Sequence, residues 1–67
     1  MKVKRDPTID RFLFALRKTA ASVADELGMS RQLFHQKKNG DVRFADDELR
    51  RLAIILGVRL SDIAEED

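Results

Sequence analysis

The chain of 67 residues has 13 basic and 12 acidic residues, no cysteine, and a formal net charge of +1. This length predicts one small domain, and the lack of cysteine excludes disulfides and thiolate metal sites. No long apolar segment or signal-peptide core occurs, so we expect a cytoplasmic protein that does not bind membranes.

The small net charge conceals a gradient along the chain. Residues 1–20 have a net charge of +4, residues 21–44 of +1 and residues 45–67 of −4. This segregation favours a protein that presents a basic face to phosphates and an acidic face away from them. The alternative is that the charges only keep a small helical domain in solution.

The first six residues form a basic arm that contains Lys2, Lys4 and Arg5. Such an arm either follows a nucleic-acid backbone or enters a minor groove, or it is a disordered, solubilising tail. The domain itself is predicted to cover residues 7–64, and residues 65–67 are assigned to an acidic tail.

A first helix is predicted from Pro7, which suits the first helical position, to about Arg17, with Asp6 as its cap. Its apolar residues recur at helical spacing and form the face expected to be buried. These residues are Ile9, Phe12, Leu13 and Leu16.

The next segment predicts two short helices joined by a tight turn. Thr19 suits a cap for a helix over 20–27, and Gly28 is expected to end that helix in a left-handed conformation. Ser30 is expected to cap a third helix over 31–38, which ends at Asn39-Gly40. Two helices with so short a turn have the geometry of a helix-turn-helix, whose second helix fits the major groove of DNA.

Two further helices are predicted after a loop over 39–44, in which Phe44 is expected to enter the core. The fourth runs over 46–56, with acidic residues in its first turn, where the helix dipole favours negative charge. Its buried face is predicted to comprise Leu49, Leu52, Ala53 and Leu56. A short fifth helix is expected to start at Ser61 and to fray after Ala64.

The pattern Thr-x-x-x-Val-Ala-Asp-x-Leu-Gly-Met-Ser-Arg-Gln-x-Phe over 19–34 resembles the Cro and lambda-repressor-like family. The resemblance extends over roughly residues 9–64, and the spacing Ala-x-x-Leu-Gly-x-Ser is its most specific part. It implies an all-α domain of four to five helices in which the second and third form a helix-turn-helix. The alternative is a plain helical hairpin in a small bundle.

The third helix carries the side chains suited to reading DNA. Arg31 and Gln32 directly follow the Ser30 cap; arginine donates two hydrogen bonds to guanine, and glutamine pairs with adenine. His35 and Gln36 lie about one turn further on and are candidates for base or phosphate contacts. The resemblance implies that Ser30, Arg31, Gln32, Leu33 and Gln36 hold base-reading positions, although each is also compatible with an ordinary exposed helix.

Candidate phosphate contacts lie at both ends of this motif. The backbone N–H groups at Thr19 and Ala20 offer an anion site at the start of the second helix. The remaining candidates follow the third helix: Lys37, Lys38, Asn39 and Arg43. The family usually has an apolar core residue at the position of Lys37, so this lysine is expected to extend its ammonium to the surface or to face the DNA.

Some apolar residues fall outside the helix faces that are predicted to be buried. They suggest a homodimer that forms through the fourth and fifth helices. These residues are Phe14, Ile54, Val58, Leu60 and Ile63. Such a dimer would place two recognition helices about 34 Å apart, which matches half-sites one turn of DNA apart. Single exposed apolar residues are also normal in monomers.

An enzyme is not expected, because the single His35 has no cysteine or serine constellation beside it, and the three glycines form no nucleotide loop. No cofactor, metal or small-molecule effector is expected either. The sequence therefore predicts a transcriptional regulator of bacterial or phage type that binds double-stranded DNA, with repression as the expected mode. The alternative is a protein-interaction module, such as an antitoxin or adaptor, in which DNA binding is secondary.

Overall fold

The computed structural model describes residues 2–4 and 8–65, which form a small, mostly helical domain. In these ranges the helices are α1 (Thr8–Leu16), α2 (Ala20–Leu27), α3 (Arg31–Lys38), α4 (Asp46–Leu56) and α5 (Leu60–Ile63). Strands β1 (Lys2–Val3) and β2 (Ala64–Glu65) form a two-stranded sheet. No helix of this part of the chain is both long and apolar enough to cross a membrane.

The predicted bounds of α2, α3 and α4 are confirmed, whereas the two ends of the chain differ from the prediction. Helix α1 ends at Leu16, because Arg17 adopts a left-handed conformation with φ of 56°. Helix α5 begins one residue earlier than predicted, at Leu60. The predicted start at Pro7 and its Asp6 cap lie outside the described residues, as do Arg5 and residues 66–67.

The small sheet joins the two ends of the domain and was not predicted from the sequence. Lys2 pairs with Glu65 and Val3 with Ala64 in antiparallel register, and the Lys4 N–H donates to the Ile63 carbonyl at 2.8 Å. Lys2 and Lys4 are therefore not part of a disordered tail. The structure agrees with a small, mostly helical domain and adds this short ribbon to it.

The core lies between α4 and the other helices, with α2 packed against both α3 and α4. Phe34, Ile9, Leu49, Leu52, Ile63 and Val23 are its largest fully buried side chains. Phe44 is also buried, as predicted, and its ring meets Phe34 edge to face with the centroids 6.3 Å apart. Leu16 is 44% exposed, so its assignment to the buried face of α1 was wrong; it is the last residue of that helix.

Candidate functional site

Local capping fixes where α2 ends and α3 begins. The Thr19 hydroxyl accepts from the Ser22 N–H at 3.1 Å, so the start of α2 is capped. Gly28 ends α2 with φ of 74°, a left-handed conformation that only glycine adopts without strain. The Ser30 hydroxyl then accepts from the Leu33 N–H at 3.1 Å and caps α3, which starts three residues after the glycine.

The first turn of α3 presents polar side chains to solvent. Ser30, Arg31 and Gln32 are exposed, while Leu33, His35 and Gln36 are half-buried. Phe34 anchors the opposite side of the helix because it is completely buried. The structure thus brings five of the six predicted base-contact residues together on α3 and places the sixth, Ser30, at its cap. The arginine and the glutamine are the most accessible long side chains of this helix.

The last turn of α3 differs from the expectation that its lysines would face phosphates. Lys37 and Lys38 are only 9% and 8% exposed. Lys37 binds the Glu48 carboxylate on α4, and Lys38 binds the Asp10 carboxylate on α1 with 2.7 Å between Nζ and Oδ1. Both ammonium groups are thus held within the domain rather than extended toward solvent.

The other predicted phosphate contacts lie close to the surface. Asn39 and Arg43 are exposed in the loop between α3 and α4, Thr19 is exposed, and Ala20 is half-buried at the start of α2. An open groove of about 570 Å³ separates this loop from the β-ribbon. It is lined by Lys2, Val3, Lys38, Asn39, Gly40, Val42, Arg43, Phe44 and Glu65.

Burial by itself raises the pKa of Glu48, but the hydrogen bonds from Lys37 and from the Ala45 N–H outweigh it and hold that pKa below its ordinary value of 4.5. The Ala45 N–H donates to Oε1 at 2.9 Å, so the same oxygen caps α4 and binds Lys37. Since the carboxylate is favoured in the folded state, its stabilisation is fully present above pH 4.5 and is lost as the pH falls through the lowered pKa.

We therefore expect Glu48→Gln to reduce stability at pH 7 by about 1–2 kcal/mol, through loss of the charge-assisted bonds. The difference from the wild type should shrink as the pH falls below 4.5, because the wild-type carboxyl then becomes neutral too. Urea unfolding of both proteins at pH 7 and at acidic pH measures this difference. Asp47→Asn removes an exposed carboxylate from the same turn and is the control; a difference that stays constant with pH would contradict the account.

The residues predicted to form a dimer interface are divided by the structure. Phe14 and Ile54 are 88% and 78% exposed. Val58 and Leu60 are half-buried and pack against the core. Ile63 is completely buried within the domain, so its assignment to an interface between subunits was wrong.

Over residues 2–4 and 8–65, no group of three or more histidine, cysteine or acidic residues is arranged to hold a metal ion. No family model, curated protein or solved structure matches the chain. The function is accordingly inferred from the residues and their arrangement.

Proposed function

We propose that this domain is a sequence-specific double-stranded DNA-binding regulator of transcription, in which α2 and α3 act as a helix-turn-helix. The observation that carries the proposal is the first turn of α3, where a capped helix start exposes Arg31 and Gln32 together. Arginine and glutamine are the residue types that make paired hydrogen bonds to guanine and adenine edges in the major groove. Occupation of an operator would then repress transcription.

The surroundings of this helix support a docking surface for DNA. The capped start of α2, at Thr19, offers backbone N–H groups to a phosphate. The exposed Asn39 and Arg43 lie just beyond the other end of α3. Contacts of this kind fix the register of a protein on the duplex, whereas side chains such as Arg31 supply the sequence preference.

The β-ribbon changes how the basic arm would act. Lys2 is paired with Glu65, with 3.8 Å between the charged atoms, and its strand forms one wall of the groove beside Arg43. Lys2 and Val3 would thus meet the DNA backbone as part of an ordered wall next to the α3–α4 loop. Entry into a minor groove would first require the ribbon to separate.

Mapping the surface by NMR tests the proposal without knowledge of the operator. Titration of the isotope-labelled protein with a random-sequence duplex at physiological salt should shift the amide signals of residues 30–36 and of the start of α2, since non-specific complexes have Kd values of about 10⁻⁴–10⁻⁶ M under these conditions. Heparin serves as a control for attraction to any polyanion. Shifts confined to α4 and α5, or no shifts, would contradict DNA recognition by α3.

The two exposed apolar residues favour a second candidate, a protein-interaction module. Phe14 and Ile54 are the most exposed large apolar side chains among the described residues, and aromatic residues of this kind often carry binding energy at interfaces. Under this alternative, substitution of Phe14 or Ile54 would impair function more than substitution of Arg31.

Within the DNA-binding proposal, Ile54 belongs to the surface of a symmetric dimer formed through α4 and α5. We expect sedimentation of the wild type at micromolar concentration to give a dimer and Ile54→Asp to give a monomer, since a buried unpaired charge opposes association. Val42→Asp alters an exposed apolar residue of the α3–α4 loop and is the control. A wild type that stays monomeric with and without DNA would contradict the dimer.

A further inference from the structure

Two adjacent lysines hold the last turn of α3 against two different helices. Lys37 reaches Glu48 on α4, while Lys38 reaches Asp10 on α1. Neighbouring residues of a helix point about 100° apart around its axis. The two ion pairs therefore act in different directions and resist rotation of α3 about its own axis.

The surroundings of Lys37 fix its ammonium more firmly than a surface ion pair would. The Glu48 oxygen that it binds also accepts the Ala45 N–H, so the carboxylate is itself oriented by the start of α4. The ammonium also lies 5.8 Å from the centroid of the Phe44 ring, within range of a cation–π interaction. That ring packs on Phe34, the core anchor of α3.

Lys38 has fewer contacts than Lys37 but is buried to the same degree. Its side chain is 9% exposed, whereas that of Asp10 is 46% exposed. The pair therefore presents its carboxylate, rather than its ammonium, to the surface. A phosphate approaching this part of α3 would meet the negative partner first.

We propose that Lys37 and Lys38 are positioning residues, which orient the recognition helix and are withheld from DNA phosphates by Glu48 and Asp10. This inference rests on the proposed function. Its physical basis is that binding to any duplex grows with the number of cations that neutralise phosphates. Internal pairing removes two cations from that number, while the fixed helix keeps Arg31 and Gln32 in register with base edges. The arrangement thereby raises the ratio of specific to non-specific binding.

Salt titrations of Lys38→Met separate positioning from phosphate contact. The readouts are affinity for a duplex selected by the wild type and affinity for a random duplex, each over a range of salt concentrations. We expect affinity for the selected duplex to fall about tenfold, as for loss of one base contact, while the salt slope on random DNA stays unchanged. Equal weakening of both duplexes, with a slope smaller by about one, would overturn the proposal.

The converse variant, Asp10→Asn, leaves Lys38 in place and removes its partner, so it tests the proposal even where Lys38→Met fails to fold. Freed ammonium should strengthen binding to random DNA and steepen the salt slope by about one. Asp47→Asn removes the same negative charge elsewhere and controls for reduced repulsion. If Asp10→Asn and Asp47→Asn change the affinity for random DNA and the salt slope equally, then Asp10 does not keep Lys38 from DNA phosphates.

Failure of the proposed function gives a different result from failure of this inference. A wild type that prefers no duplex would overturn DNA recognition, and the positioning role with it. NMR detection of the lysine ammonium groups in the free protein tests the ion pairs themselves, because paired ammonium protons exchange slowly with water. Slow exchange at both lysines is expected, and fast exchange at both would overturn the pairing whatever the DNA results are.

Discussion

Phe34→Ala is expected to unfold most of the protein at room temperature. Phe34 is completely buried and contacts Phe44 edge to face. Truncation of a buried phenylalanine costs about 3–5 kcal/mol, and the single hydrophobic core of a domain of 67 residues rarely supplies more than about 3–5 kcal/mol of stability. Far-UV circular dichroism and urea unfolding measure the loss.

The matched control is Phe14→Ala, which makes the same chemical change at a side chain that is 88% exposed. Its effect on stability should stay within about 0.5 kcal/mol, as for other surface substitutions. Equal unfolding midpoints for the two variants would contradict the core described here, because they would show that Phe34 contributes no more packing than an exposed ring.

Arg31→Ala is expected to weaken binding to the selected operator by about 1–3 kcal/mol, roughly fivefold to more than a hundredfold, and to relax the preference at one base pair. The physical reason is the loss of a paired hydrogen bond to a base edge. Because Arg31 is exposed at the start of α3, its truncation should leave the fold intact. Arg31→Lys should not restore the preference, since an ammonium lacks the planar fork of guanidinium.

Arg50→Ala provides the control for loss of charge, because Arg50 is an exposed arginine of α4. It should weaken binding to selected and random duplexes little and to similar extents. Fluorescence anisotropy with single-base variants of the operator measures both effects. If Arg31→Ala weakens every sequence alike, then Arg31 contacts phosphate and the assignment of base reading to this residue is wrong.

The middle of the fold was predictable because its signals are local. The bounds of α2 and α3 follow from Thr19, Gly28 and Ser30, each of which acts on backbone groups within a few residues. The buried Phe44 followed from its place in a polar loop, where an aromatic side chain has little reason to be exposed.

The features that were missed depend on partners distant in sequence. The strand at Lys2–Val3 pairs with Ala64–Glu65 at the opposite end of the chain, and two-residue strands have no alternation to detect. Lys38 is buried because Asp10, 28 residues earlier, reaches its ammonium. A lysine is rarely buried without such a partner. Because helical periodicity does not reveal the partner, the sequence predicted that Lys38 lies at the surface.

The residue types of the candidate site were predictable from the sequence. Which residues of α3 are exposed to a ligand, and which are held in ion pairs within the domain, was not. Exposure of Arg31 and Gln32 followed from their place after a helix cap. The first turn of α3 is exposed, whereas the lysines of its last turn are held in ion pairs. This difference depends on Glu48 and Asp10, which lie on two other helices. Only the folded structure brings those carboxylates to the end of α3.

Selection of the purified protein on a pool of random duplexes, at two salt concentrations, distinguishes sequence recognition by α3 from non-specific attraction to phosphates. We expect an enriched motif that persists at the higher salt, and for a dimer a motif with two-fold symmetry and half-sites about 34 Å apart. Binding that falls steeply with salt and enriches no motif would contradict sequence recognition by α3, because only non-specific attraction to phosphates would remain.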